Sequence, residues 1–409
     1  MVHRKFDRIT LKKLLVPILC IAFLYCLCGY LLEQPLPEDL ESRSGLLMTA
    51  MTVTAVLLVV GSFYSYFTGA RIQAYLCAVL LLVGIGFAYQ FFFDDFGSFV
   101  KMTFLGLSVG TAVYLVYRRI NVLSDTLFIL CAVCILGLLL ANLLFGRSIN
   151  GAKLWIRLGS FNFQPGELVK ILLILLGASA FHNPGRCALY CVLSLLSCGT
   201  LLLLHDLGGA VAVFALFVLM TYLLFDNRIL SCCIITAAAI GLILALQHIE
   251  YAAIRFNSWT NAMHNTDSFQ QRNFIIGVLM GGFKGLGTAD HGIFTRIYAA
   301  QNDGALAGVL AVLGVPTAMI TLGAYAFLAA QPAMNKSVYT SSFLIHAQLG
   351  MYLLVHVLLN FLGAIDVLPF TGVVAPLISS GGTVAICFGL LLGLGAAALD
   401  PHLAPYKEV

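Results

Sequence analysis

The chain has 409 residues, of which 61% are hydrophobic and only 10% are charged. A soluble domain carries about 25% charged residues, so this composition excludes a water-covered surface and indicates an all-α polytopic integral membrane protein. The net charge of +4 is scattered over short loops, which excludes nucleic acid as a partner because no basic patch is formed.

A membrane span needs about 20 mostly apolar residues. The first such run, 14–32, follows a basic stretch of Arg4, Lys5, Arg8, Lys12 and Lys13. It lacks a small-residue cleavage pattern and more runs follow, so it reads as a span and not as a signal peptide. Further runs lie at 46–66, 72–93, 98–117, 124–145, 166–181, 187–204, 207–225, 229–247, 304–330, 343–363 and 374–399. The pattern predicts about twelve spans in all. The 12 cysteines lie mostly inside these runs, and Cys131 and Cys134 read as helix packing.

The Lys/Arg bias sets the orientation. With the N-terminus inside, inner loops hold Arg71, Arg118, Arg119, Arg186, Arg228 and Lys336, and the inner tail holds Lys407. The first outer loop carries Glu33, Glu38, Asp39 and Glu41, and the next carries Asp94 and Asp95. Both termini are therefore expected in the cytoplasm. Two outer segments are long, 146–165 and 248–303, and they contain both tryptophans, Trp155 and Trp259.

The chemistry concentrates at the outer membrane edge. Glu167 and Lys170 are spaced to share a helix face and pair. Asp206 precedes one span and Asp303 another. Ionisable groups near spans tend to face cavities, but an aspartate at a helix N-terminus is also a good cap. A short surface helix is predicted around 270–280, with the glycine cluster 281–287 turning the chain back over a cavity. That cluster resembles a phosphate loop only loosely, and no Walker-type, zinc-protease or serine-elbow motif is present.

In order, Trp155, Glu167, Lys170, Asp206, Asp303, Asn360 and Thr371, each with its sequence neighbours, resemble elements of the SEDS family of shape, elongation, division and sporulation proteins. Gly151-Ala-Lys-Leu-Trp-Ile-Arg-Leu-Gly159 and Phe163-Gln-Pro-Gly-Glu-Leu-Val-Lys170 resemble its outer loop and the helix start after it. His205-Asp-Leu-Gly-Gly209 resembles a second element, and Tyr251, Arg255 and Gln271 through Gly287 resemble its large outer loop. Asp303 with Gly314 has the spacing of its catalytic segment. Asn360, Pro369-Phe-Thr-Gly372, Pro376 and Ser379-Ser-Gly-Gly382 match its C-terminal motif without a gap. Departures include Leu154, Gly166, His356, Ser380 and the Ala311-Val312 pair, which stands where the family has two acidic residues.

The resemblance implies a SEDS-like helical bundle with a ten-helix core and two additional N-terminal helices. It places N-terminal helices in 1–120 and the core, with the outer loop 248–303, in 121–409. It implies a peptidoglycan glycosyltransferase that polymerises lipid II, with inversion, on the outer face of the cytoplasmic membrane, beside a class B penicillin-binding protein. Its alternative is a non-catalytic binder or flippase-like transporter of the same lipid. Asp303 would be the catalytic base. Glu167, Lys170, Asp206, Arg255, Trp155, Gln271, Lys284, Asn360, Thr371 and Ser379 would bind substrate. No cofactor is required by the sequence; a divalent cation would suit a departing diphosphate.

Overall fold

The computed structural model describes residues 2–68, 70–117, 124–149, 151–159, 161–180, 183–248, 256–257, 259–260, 269–334 and 340–400. Each expected apolar run contains a helix, but the last, 374–399, is helical only from Gly382, and 374–381 belong to the non-helical segment before it. They are α1 (Val2–Glu33), α2 (Glu38–Thr68), α3 (Ala70–Gln90), α4 (Phe96–Tyr117), α5 (Asp125–Phe145), α6 (Pro165–Ala180), α7 (Pro184–Leu203), α8 (Leu207–Phe225) and α9 (Arg228–His248). The segment that follows contains α10 (Phe269–Gly281) and the one-turn α11 (Gly292–Thr295). Then come α12 (Ala305–Ala329), α13 (Ser341–Ala364) and α14 (Gly382–Leu399).

Ten of these helices are long and apolar enough to cross a membrane. Of the remaining spans, α6 has only 16 residues, or about 24 Å at helical rise, short of a bilayer core. It can be short because it is buried nearly throughout, packed among α5, α7, α8, α13 and α14. The lipid never has to match its length.

The bundle has two apolar cores that meet along α13 and α14. One joins α1–α4 with α12, and the other joins α5–α8. Helices α4 and α14 pack backbone to backbone through two small-residue repeats, Gly106/Gly110 and Gly389/Gly393. A Cβ added at Gly106 would lie 2.3 Å from Ala385 O, and one at Gly393 would lie 2.2 Å from Gly110 O. Without a hydrophobic force between helices in lipid, such close van der Waals approach is what holds them.

The segment read as a plain outer loop, 146–165, instead folds into an antiparallel sheet of β1 (Arg147–Ile149), β2 (Ala152–Leu158) and β3 (Phe161–Phe163). Arg147 pairs with Trp155 and Ile156 with Phe163. The sheet sits on the α7–α8 turn: Lys153 N donates to Leu204 O (2.9 Å), and His205 Nδ1 to Gly151 O (2.8 Å).

Helix α12 is broken at Gly314 (φ 82°, ψ 171°), just before Pro316. A proline and a break free main-chain groups of the preceding turn. The glycine cluster supplies their partners: Leu286 N donates to Ala311 O (2.9 Å), Gly287 N to Val312 O (3.1 Å), and Val315 N to Phe283 O (3.0 Å). The surface helix expected near 270–280 is present as α10. The glycines after it do not turn the chain back over a cavity; they brace α12. Gln34, in the α1–α2 turn, fastens this brace by accepting from Thr288 N (2.9 Å) and Oγ1 (2.8 Å).

Candidate functional site

A cavity of about 800 Å³ opens between β2, the starts of α6 and α8, the segment before α12, and residues 370–384. Its floor is laid by α6. Pro165 opens that helix, so Glu167 falls in its first turn and Lys170 one turn later. Lys170 Nζ donates to Glu167 Oε1 at 2.7 Å. Both side chains are almost sealed, at 5% and 2% exposure, so this is a buried pair and not a surface bridge.

Helix α13 completes the floor. Tyr352 OH donates to Glu167 Oε2 (2.9 Å), and Lys170 Nζ lies 3.3 Å from His356 Nε2. His356 Nδ1 faces Tyr352 O at 2.9 Å. A carbonyl can only accept, so Nδ1 carries the proton and Nε2 accepts from Lys170. Every polar group of the floor thus has a partner, as burial demands.

The walls are loop termini. Asp206 is the N-cap of α8 and accepts from Gly209 N at 2.7 Å. A Cβ on Gly209 would lie 2.3 Å from Asp206 Oδ2, so this glycine is what leaves room for the carboxylate. Asp206 is therefore both a cap and a lining residue. Asp303 ends an irregular segment before α12. Its helix takes Gly304 as N-cap, without a side-chain bond from that position. The cap comes instead from Asn360, whose Oδ1 accepts from Leu306 N at 3.1 Å.

Opposite Asp303 runs an extended segment between α13 and α14. Gly372 turns there with φ 70°. A Cβ on it would sit 3.4 Å from Asp303 Oδ2, so the main chain approaches the carboxylate closely. Thr371 Oγ1, beside it, is buried without a hydrogen-bond partner among the described residues. The arrangement presents carboxylates and one ammonium to one cavity.

The family model of the FtsW, RodA and SpoVE cell cycle proteins matches residues 70–399. That stretch contains every residue lining the cavity. The chain belongs to this family. Helices α1 and α2 precede the matched region.

Among curated relatives, the peptidoglycan glycosyltransferase RodA of Mycobacterium tuberculosis is 25% identical over 275 residues. The match covers 60% of this chain and 57% of that one, so the chain spans little more than half the length of this relative. The probable peptidoglycan glycosyltransferase FtsW of Tolumonas auensis is 28% identical, covering 71% of this chain and 78% of that one. Two solved structures share the fold. Rod shape determining protein RodA of Thermus thermophilus has a TM-score of 0.53 at 23% identity over 80% of this chain and 95% of that one. A chain of a peptidoglycan synthase complex that coordinates polymerization and crosslinking has a TM-score of 0.63 at 24% identity, covering 79% and 96%.

Set in this family fold, the residues singled out by sequence separate into four groups. Asp303, Glu167, Lys170, Asp206, Trp155, Gln271 and Thr371 all line the cavity. Asn360 and Ser379 do not line it; they bind main chain. Asn360 Nδ2 donates to Asn302 O, Asp303 O and Val373 O, and Ser379 Oγ donates to Asn302 O. Lys284 is exposed and absent from the lining, because its segment is folded onto the break in α12. Arg255 lies outside the described residues. Arg272 stacks over Phe269, its guanidinium 5.6 Å from the ring centre, and among the described lysines and arginines only Lys170 lines the cavity.

Tyr352 was not visible as a site residue in the sequence, where an aromatic inside an apolar run reads as core. Its spacing to His356 was the available signal, since the two lie one helical turn apart. The sequence does not carry the contact to Glu167, 185 residues away.

Proposed function

We propose that this chain is a peptidoglycan glycosyltransferase that polymerises lipid II on the outer face of the cytoplasmic membrane. The reading rests on one observation: Asp303 and the buried Glu167–Lys170 pair face the same cavity, within the family-matched region. The names of the relatives support it. The donor is already activated as a sugar diphosphate, so no ATP site is needed.

In this reading the acceptor's 4-hydroxyl attacks the donor's anomeric carbon from the face opposite the diphosphate. Asp303 takes the hydroxyl proton as the new glycosidic bond forms. The bond from the anomeric carbon to the diphosphate oxygen breaks, and polyprenyl diphosphate leaves with the electron pair. Inversion follows from a single displacement. Lys170, oriented by Glu167 and His356, brings positive charge to the cavity where negative charge develops. Asp206, Trp155, Gln271 and Thr371 bind substrate along the walls. Asp206 would help hold a divalent cation on the diphosphate, and such a cation would stabilise the leaving group.

Both termini are cytoplasmic in this reading, and the loop 248–303 is outside. The partner is a class B penicillin-binding protein that crosslinks the product, in keeping with the complex from which one fold relative comes. The test is polymerisation of purified lipid II by the purified protein, with and without such a partner and with divalent cation supplied. Glycan strands are expected. A protein that only moves the lipid across vesicle membranes, and makes no strands, would be a transporter instead.

A further inference from the structure

Asp303 sits at the end of a segment with no regular secondary structure, running from Ala299 to Gly304. Such a segment should be loose, yet four successive main-chain oxygens in it are each held by a side chain from elsewhere. Asn360 Nδ2 donates to Asp303 O (3.0 Å) and Asn302 O (3.3 Å), and Ser379 Oγ donates to Asn302 O (2.5 Å). The two earlier oxygens are held from the end of α3. Tyr89 OH donates to Ala300 O (2.8 Å), and Gln90 Nε2 donates to Gln301 O (2.8 Å).

The same Gln90 nitrogen also donates to Ile378 O at 2.8 Å. One amide therefore ties the Asp303 segment to the segment that brings Thr371 and Gly372 against the carboxylate. Tyr89 and Gln90 are 0% and 1% exposed, and neither lines the cavity. A buried amide is costly unless it is hydrogen-bonded, so its two bonds define where it and its partners can sit. Tyr89 reaches its partner across α12, at Gly308, where a Cβ would lie 2.0 Å from the phenol oxygen.

We infer that Tyr89 and Gln90, at the carboxyl end of α3, are positioning residues that set where Asp303 presents its carboxylate to the cavity. The inference rests on the proposed role of Asp303 as general base. Gln90→Leu removes both amide bonds at similar volume, and Tyr89→Phe removes one hydroxyl. In lipid II polymerisation by the full-length protein, Gln90→Leu should lower kcat by about 10- to 100-fold, as displacement of a reacting group by about an ångström does. KM should stay unchanged.

In an Asp303→Glu background, where the carboxylate is already misplaced, Gln90→Leu should cost much less, because the two changes act on one feature. An unchanged kcat, or a loss that adds in full to that of Asp303→Glu, overturns the inference. Amide exchange over 299–304, measured on the same proteins, separates it from the proposed activity. Faster exchange in Gln90→Leu is expected, and unchanged protection overturns the positioning role. Absence of glycan synthesis in the unaltered protein would overturn the activity alone.

Discussion

Asn360 caps a helix it does not belong to: its Oδ1 accepts from Leu306 N at 3.1 Å, across 54 positions of sequence. The same amide donates to three main-chain oxygens around Asp303. Removing it orphans buried groups at about 1–3 kcal/mol each. Asn360→Ala should therefore lower the melting temperature clearly. Asn360→Asp keeps the acceptor and the shape but sets a carboxylate against three carbonyl oxygens. It should be no milder than Asn360→Ala. Melting of the Asp variant at the native temperature would contradict this account of the site.

Much of the architecture was legible because a bilayer imposes a length. Apolar runs of about 20 residues had to be helices, and each contains one, the last starting eight residues later than its apolar run. What escaped was short or local. Strands of three residues, such as Arg147–Ile149 and Phe161–Phe163, are too brief to display alternation. The glycine cluster 281–287 was visible, but its target was not: its amides serve carbonyls of Ala311 and Val312, and no spacing announces that. The cavity carboxylates and lysine could be read because charge is scarce in this chain. Tyr352, Tyr89 and Gln90 could not, since a single polar group in an apolar run reveals its partner only when the run is packed.

The floor pair should respond to single and double substitution in opposite ways. Lys170→Met leaves the Glu167 carboxylate buried beside Tyr352 and His356 without its cation. Breaking a buried pair costs about 3–5 kcal/mol. Glu167→Gln with Lys170→Met removes both charges and should regain most of that stability. Polymerisation should not return, since the cavity then lacks its ammonium. Thermal unfolding and glycan synthesis, run side by side, decide the matter. Full activity in the double variant would reduce the pair to a structural element.

Asp366 gives a pH dependence with a defined sign. It follows α13, accepts from Gln271 Nε2 at 3.1 Å, and its main-chain oxygen accepts from Trp259 Nε1 at 3.0 Å. Burial raises its pKa above the ordinary 3.8. A carboxyl whose folded pKa is raised favours folding while protonated. That contribution is complete below the unfolded pKa and is lost as pH rises through the folded value. Asp366→Asn, which cannot ionise, should escape the loss. Its melting temperature should therefore gain on that of the native protein as pH rises from about 3.8. A constant difference over that window would show that Asp366 does not titrate abnormally.

The orientation can be checked without any activity. The Lys/Arg bias predicts both ends of the chain inside and 248–303 outside. A reporter fused at Asn261 and another at the C-terminus should give opposite sidedness. Matching signals would mean that one of the three long helices between the two reporters, α12, α13 or α14, does not cross.

Asp303 carries the sharpest prediction, because the structure removes its main competing role. An aspartate before a helix could serve as the cap, but α12 has Gly304 as its N-cap and takes its side-chain cap from Asn360. Asp303→Asn keeps the size of the side chain and its hydrogen-bonding oxygen while removing the basic carboxylate. The variant should insert and melt within about 0.5 kcal/mol of the native protein, as substitutions away from core features do. Substrate should still bind, since Lys170, Trp155 and Gln271 remain in the lining. Polymerisation should fall by about 10²- to 10⁴-fold, the span expected when a general base is lost. Asp303→Ala should be equally inactive. Near-native strand synthesis by Asp303→Asn, measured on purified protein with lipid II, would move the base elsewhere in the cavity, with Asp206 the next carboxylate to test.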